Sequence, residues 1–227
     1  MRAFGLAWIF GVWVGVATAF GDVMLCDATQ VIVEFESKED AELACEAAKH
    51  AIDFMSKHDF HTHAPVEIHM RSQLRLPDSG EIVGLYRRDG ERIDILSFSA
   101  CERQLAHNSI FGITLDRALY RSFIVHEVAH IIIDRTYRRA PPSLLVHEMI
   151  AYVVQFETMD AELREKILSE SRIPAYDDLS QVSLLYYQLN PQQFGIKIYR
   201  HFRHSQDLSA DLHELMSSEL NRGREFH

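Results

Sequence analysis

The chain has 227 residues, 47% of them hydrophobic, and a formal net charge of -10 at pH 7, which allows a sizeable core in an ordinary globular composition. An acidic chain without a basic stripe to follow a phosphate backbone argues against nucleic acid as a partner. Past the first twenty residues no segment is apolar and long enough to span a bilayer, so stable membrane insertion of a mature chain is not expected.

Residues 1–19 read as an export signal peptide. Arg2 forms a short positive region, an apolar run follows, and Ala17-Thr18-Ala19 offers an A-x-A cleavage site. A mature chain starting at Phe20, periplasmic or secreted, is expected. In such an oxidising compartment two of Cys26, Cys45 and Cys101 should pair. Cys26 with Cys45 closes the shortest loop, but spacing alone leaves the connectivity open.

Gln30 to Glu36 (QVIVEFE) places Val31, Val33 and Phe35 on one face and predicts a strand. Ser37 is an N-cap candidate with Asp40 as its capping-box partner, and Leu43, Ala44, Ala47, Ala48, Ala51, Ile52 and Met55 fall at helical spacing, predicting a helix to about His58. The loop histidines His58, His61 and His63 lack a cysteine or well-spaced carboxylate to complete a coordination set and read as solvated. Val66, Ile68 and Met70 alternate with Glu67 and His69 as a second strand, and Asp89-Gly90 between two β-rich runs signals a hairpin. Residues 20–110 thus form an α/β part, a small sheet carrying one helix.

Residues 111–227 read as helical. Thr114 or Asp116 caps a helix that runs through Leu115, Leu119, Phe123 and Val128 to about Asp134; after Pro141-Pro142, a second extends from about Ser143 to Phe156. The remainder is mostly helical, punctuated by Pro174 and Pro191. No repeat or long linker divides the chain, so 20–227 is expected to be a single α+β domain.

Within the first of these helices stands His126-Glu127-Val128-Ala129-His130, an H-E-x-x-H motif flanked by Phe123, Ile124, Val125, Ile131, Ile132 and Ile133. Histidines four apart share a helix face and can ligate one zinc ion, while a glutamate beside the first can reach an activated water without binding the metal. Three polar groups in so apolar a stretch need a compensating partner. A catalytic zinc site usually takes three protein ligands. The metzincin extension is excluded, because Ile133 and Thr136 stand where glycine and histidine are required. Glu148 in LLVHEMIAYVVQF is the better third ligand, since two antiparallel helices on a short loop bring its carboxylate back to the histidines.

This arrangement, H-E-x-x-H followed by E-x-x-A on the next helix, resembles the gluzincin zinc metallopeptidases, and Tyr120 to Gln155 is similar to their peptidase-MA-like branch. The resemblance covers those two helices. It implies a zincin-like fold, Zn2+ held by His126, His130 and Glu148, Glu127 as general base, Ala151 as the small residue after the third ligand, and Gly84-Leu85-Tyr86 as the hairpin strand before the active-site helix. The implied activity is hydrolysis of peptide bonds in a peptide or protein substrate by an exported zinc-dependent metallopeptidase.

One position departs from the pattern. Tyr152 stands where many gluzincins carry an acid that hydrogen-bonds a ligand histidine, and Asp134, one turn beyond His130, is the nearest substitute. The departure supports an alternative, a catalytically inactive zinc-stabilised binding or assembly protein on a peptidase scaffold. His147 should not share the ion with Glu148, because adjacent helix residues point about 100° apart. Tyr186, Tyr187, Tyr199, His201 and His204 are available as donors to an oxyanion but lie in helices that need aromatic packing and are expected to serve there, and Arg135, Arg138 and Arg139 form a basic surface patch.

Overall fold

The computed structural model describes residues 21–26, 30–76 and 80–218; the expected signal peptide, its cleavage site and Phe20 lie outside them. Strands β1 (Asp22–Leu25) and β2 (Val31–Phe35) precede helix α1 (Lys38–Lys57). Strand β3 (Val66–Arg71), the short β4 (Arg75–Leu76) and β5 (Gly80–Glu81), then β6 (Gly84–Arg87) and β7 (Arg92–Leu96) complete the β part. Helices α2 (Phe98–Gln104), α3 (Arg117–Thr136), α4 (Leu144–Glu157), α5 (Ala161–Glu170), α6 (Leu184–Leu189), α7 (Pro191–Phe202) and α8 (Leu208–Ser217) follow. The class is α+β, a five-stranded sheet followed by a mostly helical half.

The sheet has the order β1-β2-β3-β7-β6, with β4 and β5 forming a separate pair. β2, β3 and β7 are parallel, while β1 and β6 run antiparallel along the edges. Alternation sets the two faces. Val31, Val33, Val66, Ile68, Ile93 and Ile95 are buried on the helix side. The opposite face carries charge: the Asp94 carboxylate accepts from Arg87 and from Arg71 at 3.2 Å, and Arg71 also donates to Glu34 at 2.9 Å.

α1 is N-capped by Ser37 and lays a fully buried alanine stripe, Ala41, Ala44, Ala47, Ala48 and Ala51, against its neighbours. Small side chains allow this close approach. Asp40 does not close the expected capping box with Ser37. Its carboxylate instead accepts from the Phe98 backbone N–H at 2.9 Å and from Arg117 at 2.8 Å, tying α1 to the starts of α2 and α3. α2 itself was not expected; Ser97 caps it, its side chain accepting from the Ala100 N–H. Cys26 and Cys45 are joined in a disulfide that fastens β1 to α1, and Cys101 is buried and free.

The hairpin forms between β6 and β7, but its positive φ falls at Glu91 (46°) and not at Gly90. The Glu91 carboxylate accepts from Arg135 and Arg138, so two arginines of the expected surface patch are engaged with the turn. Arg135 also donates to the carbonyls of Ala64 and Pro65.

α3 lies between α1, α4 and the β6-β7 edge. It is capped by Asp116, and its buried residues occur on all sides, from Leu119 and Tyr120 through Ile124, Val128 and Ala129 to Ile131, Ile132 and Ile133. A helix apolar all round belongs in a core. Among the described residues no helix is long and apolar enough to cross a membrane.

Candidate metal centre

α3 and α4 pack antiparallel across the Pro141-Pro142 turn, the second helix restarting at the Ser143 cap. This geometry brings the H-E-x-x-H face of α3 against the middle of α4. His126 Nε2 lies 3.2 Å from His130 Nε2, and the Glu148 carboxylate lies 3.4 Å from the first and 3.5 Å from the second. Ligand atoms of the three residues sit within 4.8 Å of one another, the one such group among the described residues. Glu148, the third ligand expected from sequence, therefore faces the histidines.

Each histidine is braced through its other nitrogen. His126 Nδ1 lies 3.1 Å from Gln155 Oε1, Gln155 Nε2 donates to Ser122 Oγ at 3.0 Å, and that hydroxyl donates to the Leu119 carbonyl at 2.7 Å. Because Ser122 Oγ spends its proton on Leu119, it accepts from the Gln155 amide, which leaves the amide oxygen facing a protonated His126 Nδ1. His130 Nδ1 lies 3.0 Å from His147 Nδ1, and His147 Nε2 lies 2.8 Å from Asp134 Oδ1. Asp134 is in turn gripped by Arg88, with Nε 2.6 Å from one oxygen and a terminal nitrogen 2.7 Å from the other. An ionised carboxylate only accepts, so His147 donates from Nε2, and as a neutral imidazole it accepts at Nδ1 from His130. Both ligand candidates thus turn Nε2 towards Glu148, the nitrogen through which each could bind a cation.

Charge follows from these contacts. Burial works against an ionised Glu148, but His130, His126 and the Tyr187 hydroxyl outweigh it and hold its pKa at about 2. Burial opposes protonation of His126 too, yet the hydrogen bond and charge of Glu148 raise its pKa above the ordinary value. His130 is pushed down to about 3 by burial, with His126 and His147 adding to the effect. Asp134 stays well below the usual carboxylate range, since His147 and Arg88 overcome the cost of burial.

Glu127 sits between the centre and edge strand β6. Burial, with the neighbouring Glu148 charge, lifts its carboxyl to about 7 against the pull of His126, and it accepts from the Tyr86 backbone N–H. A Cβ at Gly84 would lie 2.6 Å from Glu127 Oε1. Glycine is what lets the strand pass this close.

Tyr152, which stands in the position of an acid, makes no such bond to a ligand. Its ring lies edge-on to His126, centroids 4.7 Å apart, and packs against Phe111 and Phe194. Gly195 gives it room: a Cβ there would sit 2.4 Å from the ring. Asp134 does reach His130, but through His147 and not directly.

Three participants were given no part in the centre from sequence. Gln155 lies on the Glu148 face of α4, two turns on, a spacing that could have revealed it. His147, set aside as unable to share the ion, sits behind His130 instead. Tyr187 was placed in packing, yet its hydroxyl hydrogen-bonds Glu148. Of the other aromatic candidates, Tyr186 bonds Gln193, Tyr199 stacks on Phe156 and His201 bonds the Tyr176 carbonyl, whereas His204, expected in packing, is exposed. Of the loop histidines, His61 and His63 are exposed as expected, whereas His58 is half-buried, its Nδ1 2.7 Å from Ser209 Oγ and its carbonyl accepting from His213.

Comparison with curated proteins and with solved structures finds no match. A family model matches residues 31–225, covering the sheet from β2 onward, both helices of the centre and the helices beyond, and the chain belongs to that family of unknown function (DUF6639).

Proposed function

We propose that the chain is an exported, zincin-like, zinc-dependent metallopeptidase in which His126, His130 and Glu148 hold Zn2+ and Glu127 is the general base. The observation that carries this reading is the convergence of three ligating side chains within 4.8 Å, on consecutive helices. Two imidazole nitrogens and one carboxylate are a donor set suited to zinc, and three protein ligands leave a position open. Bound there, zinc supplies Lewis acidity that polarises a carbonyl and acidifies a water.

The chain's own groups do the proton work. Glu127, whose carboxyl titrates near neutrality, takes the proton of the attacking water as the water oxygen bonds to the carbonyl carbon. The same carboxyl then gives that proton to the amine as the C–N bond breaks. Tyr187, kept protonated by burial, offers a hydroxyl at the centre to a developing oxyanion. Edge strand β6 fixes Glu127 through the Tyr86 N–H.

The test begins with metal analysis of mature protein purified without added zinc, then cleavage of a mixed peptide library with and without a chelator. Glu127→Gln should retain zinc and lose cleavage; full activity in that variant refutes the assignment. A second reading, a zinc-stabilised binding or assembly protein without turnover, is favoured by the cover over the centre, where the His126 side chain is 13% exposed and that of Glu148 8%. Zinc binding without chelator-sensitive cleavage would select it.

A further inference from the structure

We propose that His147 and Asp134 are positioning residues for the metal, a relay that holds His130 as the tautomer with its proton on Nδ1 and its Nε2 lone pair aimed at the cation. The inference rests on the zinc reading above and concerns residues that do not touch the ion.

The two ligand histidines are braced unequally. Behind His126 stands a neutral amide, Gln155, backed by a hydroxyl. Behind His130 stands an imidazole, backed by a carboxylate that Arg88 holds with two nitrogens. A histidine whose outer nitrogen donates towards an anion becomes a more basic ligand with a fixed ring orientation. Here the anion is one imidazole removed, and with His147 neutral the chain of donors runs from His130 to His147 to Asp134. His147 is 4% and Asp134 8% exposed, so the relay is shielded from water that would compete for these bonds.

Its far end belongs to the β6-β7 hairpin. Arg88 lies in the turn, and the Tyr86 hydroxyl of β6 is bonded to the same carboxylate. The relay thereby joins the α3-α4 pair to the strand that positions Glu127. Tyr152 lies against His126, whose outer nitrogen meets Gln155; the bracing carboxylate of this centre stands behind the other histidine, contributed by α3 with α4 supplying the intervening imidazole.

The experiment measures zinc affinity by competition with a chromophoric chelator, for the full mature chain and for His147→Phe, His147→Gln, Asp134→Asn and His130→Ala. The parent should bind one zinc and His130→Ala should lose it; if the parent binds none, the zinc reading itself fails. With zinc binding established, His147→Phe and Asp134→Asn should weaken it by about 10- to 100-fold. His147→Gln should stay within a few-fold of the parent, because its amide can accept from His130 and donate to Asp134. The spectroscopic readout is ¹⁵N-histidine NMR of the zinc form. Nε2 ligation by His130 with a proton on Nδ1 is expected in the parent and in His147→Gln, and a changed Nδ1 environment in His147→Phe. Should folded His147→Phe and Asp134→Asn bind zinc as tightly as the parent, or His130 ligate through Nδ1, the relay is refuted while the zinc site stands.

Discussion

Gly84→Ala separates the proposed general base, Glu127, from the proposed metal ligands. A Cβ at this position would lie 2.6 Å from Glu127 Oε1, 2.8 Å from Cγ and 2.9 Å from Cδ. Turning the carboxylate cannot relieve three contacts along one side chain. The strand cannot easily retreat either, because β6 is paired to β7 with Gly84 opposite Ile95. Restoring a carbon–carbon contact of about 3.5 Å therefore displaces Glu127 Cγ by about 0.7 Å. Since a misplacement of about 1 Å can cost about 100-fold, kcat/KM for peptide cleavage should fall by about 25- to 100-fold, a barrier increase of about 1.9–2.7 kcal/mol. Overpacking should cost about 1–3 kcal/mol of stability. Zinc affinity should hardly change, as the ligands lie on α3 and α4 away from the added methyl group. The assay pairs chelator competition with peptide cleavage on zinc-loaded protein. A folded, zinc-loaded Gly84→Ala protein as active as the parent would show that β6 does not position Glu127; equal loss of zinc and activity would show that the strand supports the metal ligands instead.

Zinc at about 100 times its Kd should stabilise the protein by about 2.7 kcal/mol, a Tm rise of about 5–11 °C for a chain of this size, and the rise should vanish in Glu148→Ala; calorimetry with and without chelator checks both. Gly195→Ala places a Cβ 2.4 Å from Tyr152 Cδ1 and should drive that ring towards His126, weakening zinc binding measured by chelator competition. Adding Tyr152→Ala should recover the affinity; failure to do so would assign the loss to α7 alone. Asp94→Asn should cost about 2–3 kcal/mol in denaturant unfolding, because it removes the negative charge and one of the two acceptor oxygens that Arg71 and Arg87 use on the sheet. Burial opposes the charge on Asp94, but Arg87 and Arg71 overcome it and hold its pKa below 3.8. The contribution is thus present above about pH 4 and lost as pH falls through the depressed pKa. The difference between parent and Asp94→Asn should narrow on acidification.

Local rules carried much of the architecture. Ser37, Asp116 and Ser143 cap the three long helices where their side chains could take the first free N–H groups, since capping is settled within four residues. The alternation of Val66, Ile68 and Met70 gave β3, and the H-E-x-x-H spacing put two imidazoles on one helical face. Local chemistry also misled: Asp40 in the capping-box position serves α2 and α3, and the turn after Arg87 takes its positive φ at Glu91 although Gly90 was available. In both cases a tertiary partner, Arg117 for one and Arg135 with Arg138 for the other, outweighs the local preference.

The sequence by itself determined which groups share a helix face, because a 3.6-residue period needs no neighbours: the histidine pair on α3 and the Glu148-Tyr152-Gln155 face of α4. Only the tertiary structure decided what stands opposite those faces. The crossing of α3 and α4 put Glu148 before the two Nε2 atoms and His147 behind His130, and the pairing of β6 with β7 brought Gly84 and Tyr86 against Glu127. Such contacts depend on helix rotation and strand register summed over the whole core, and no short run of residues encodes them.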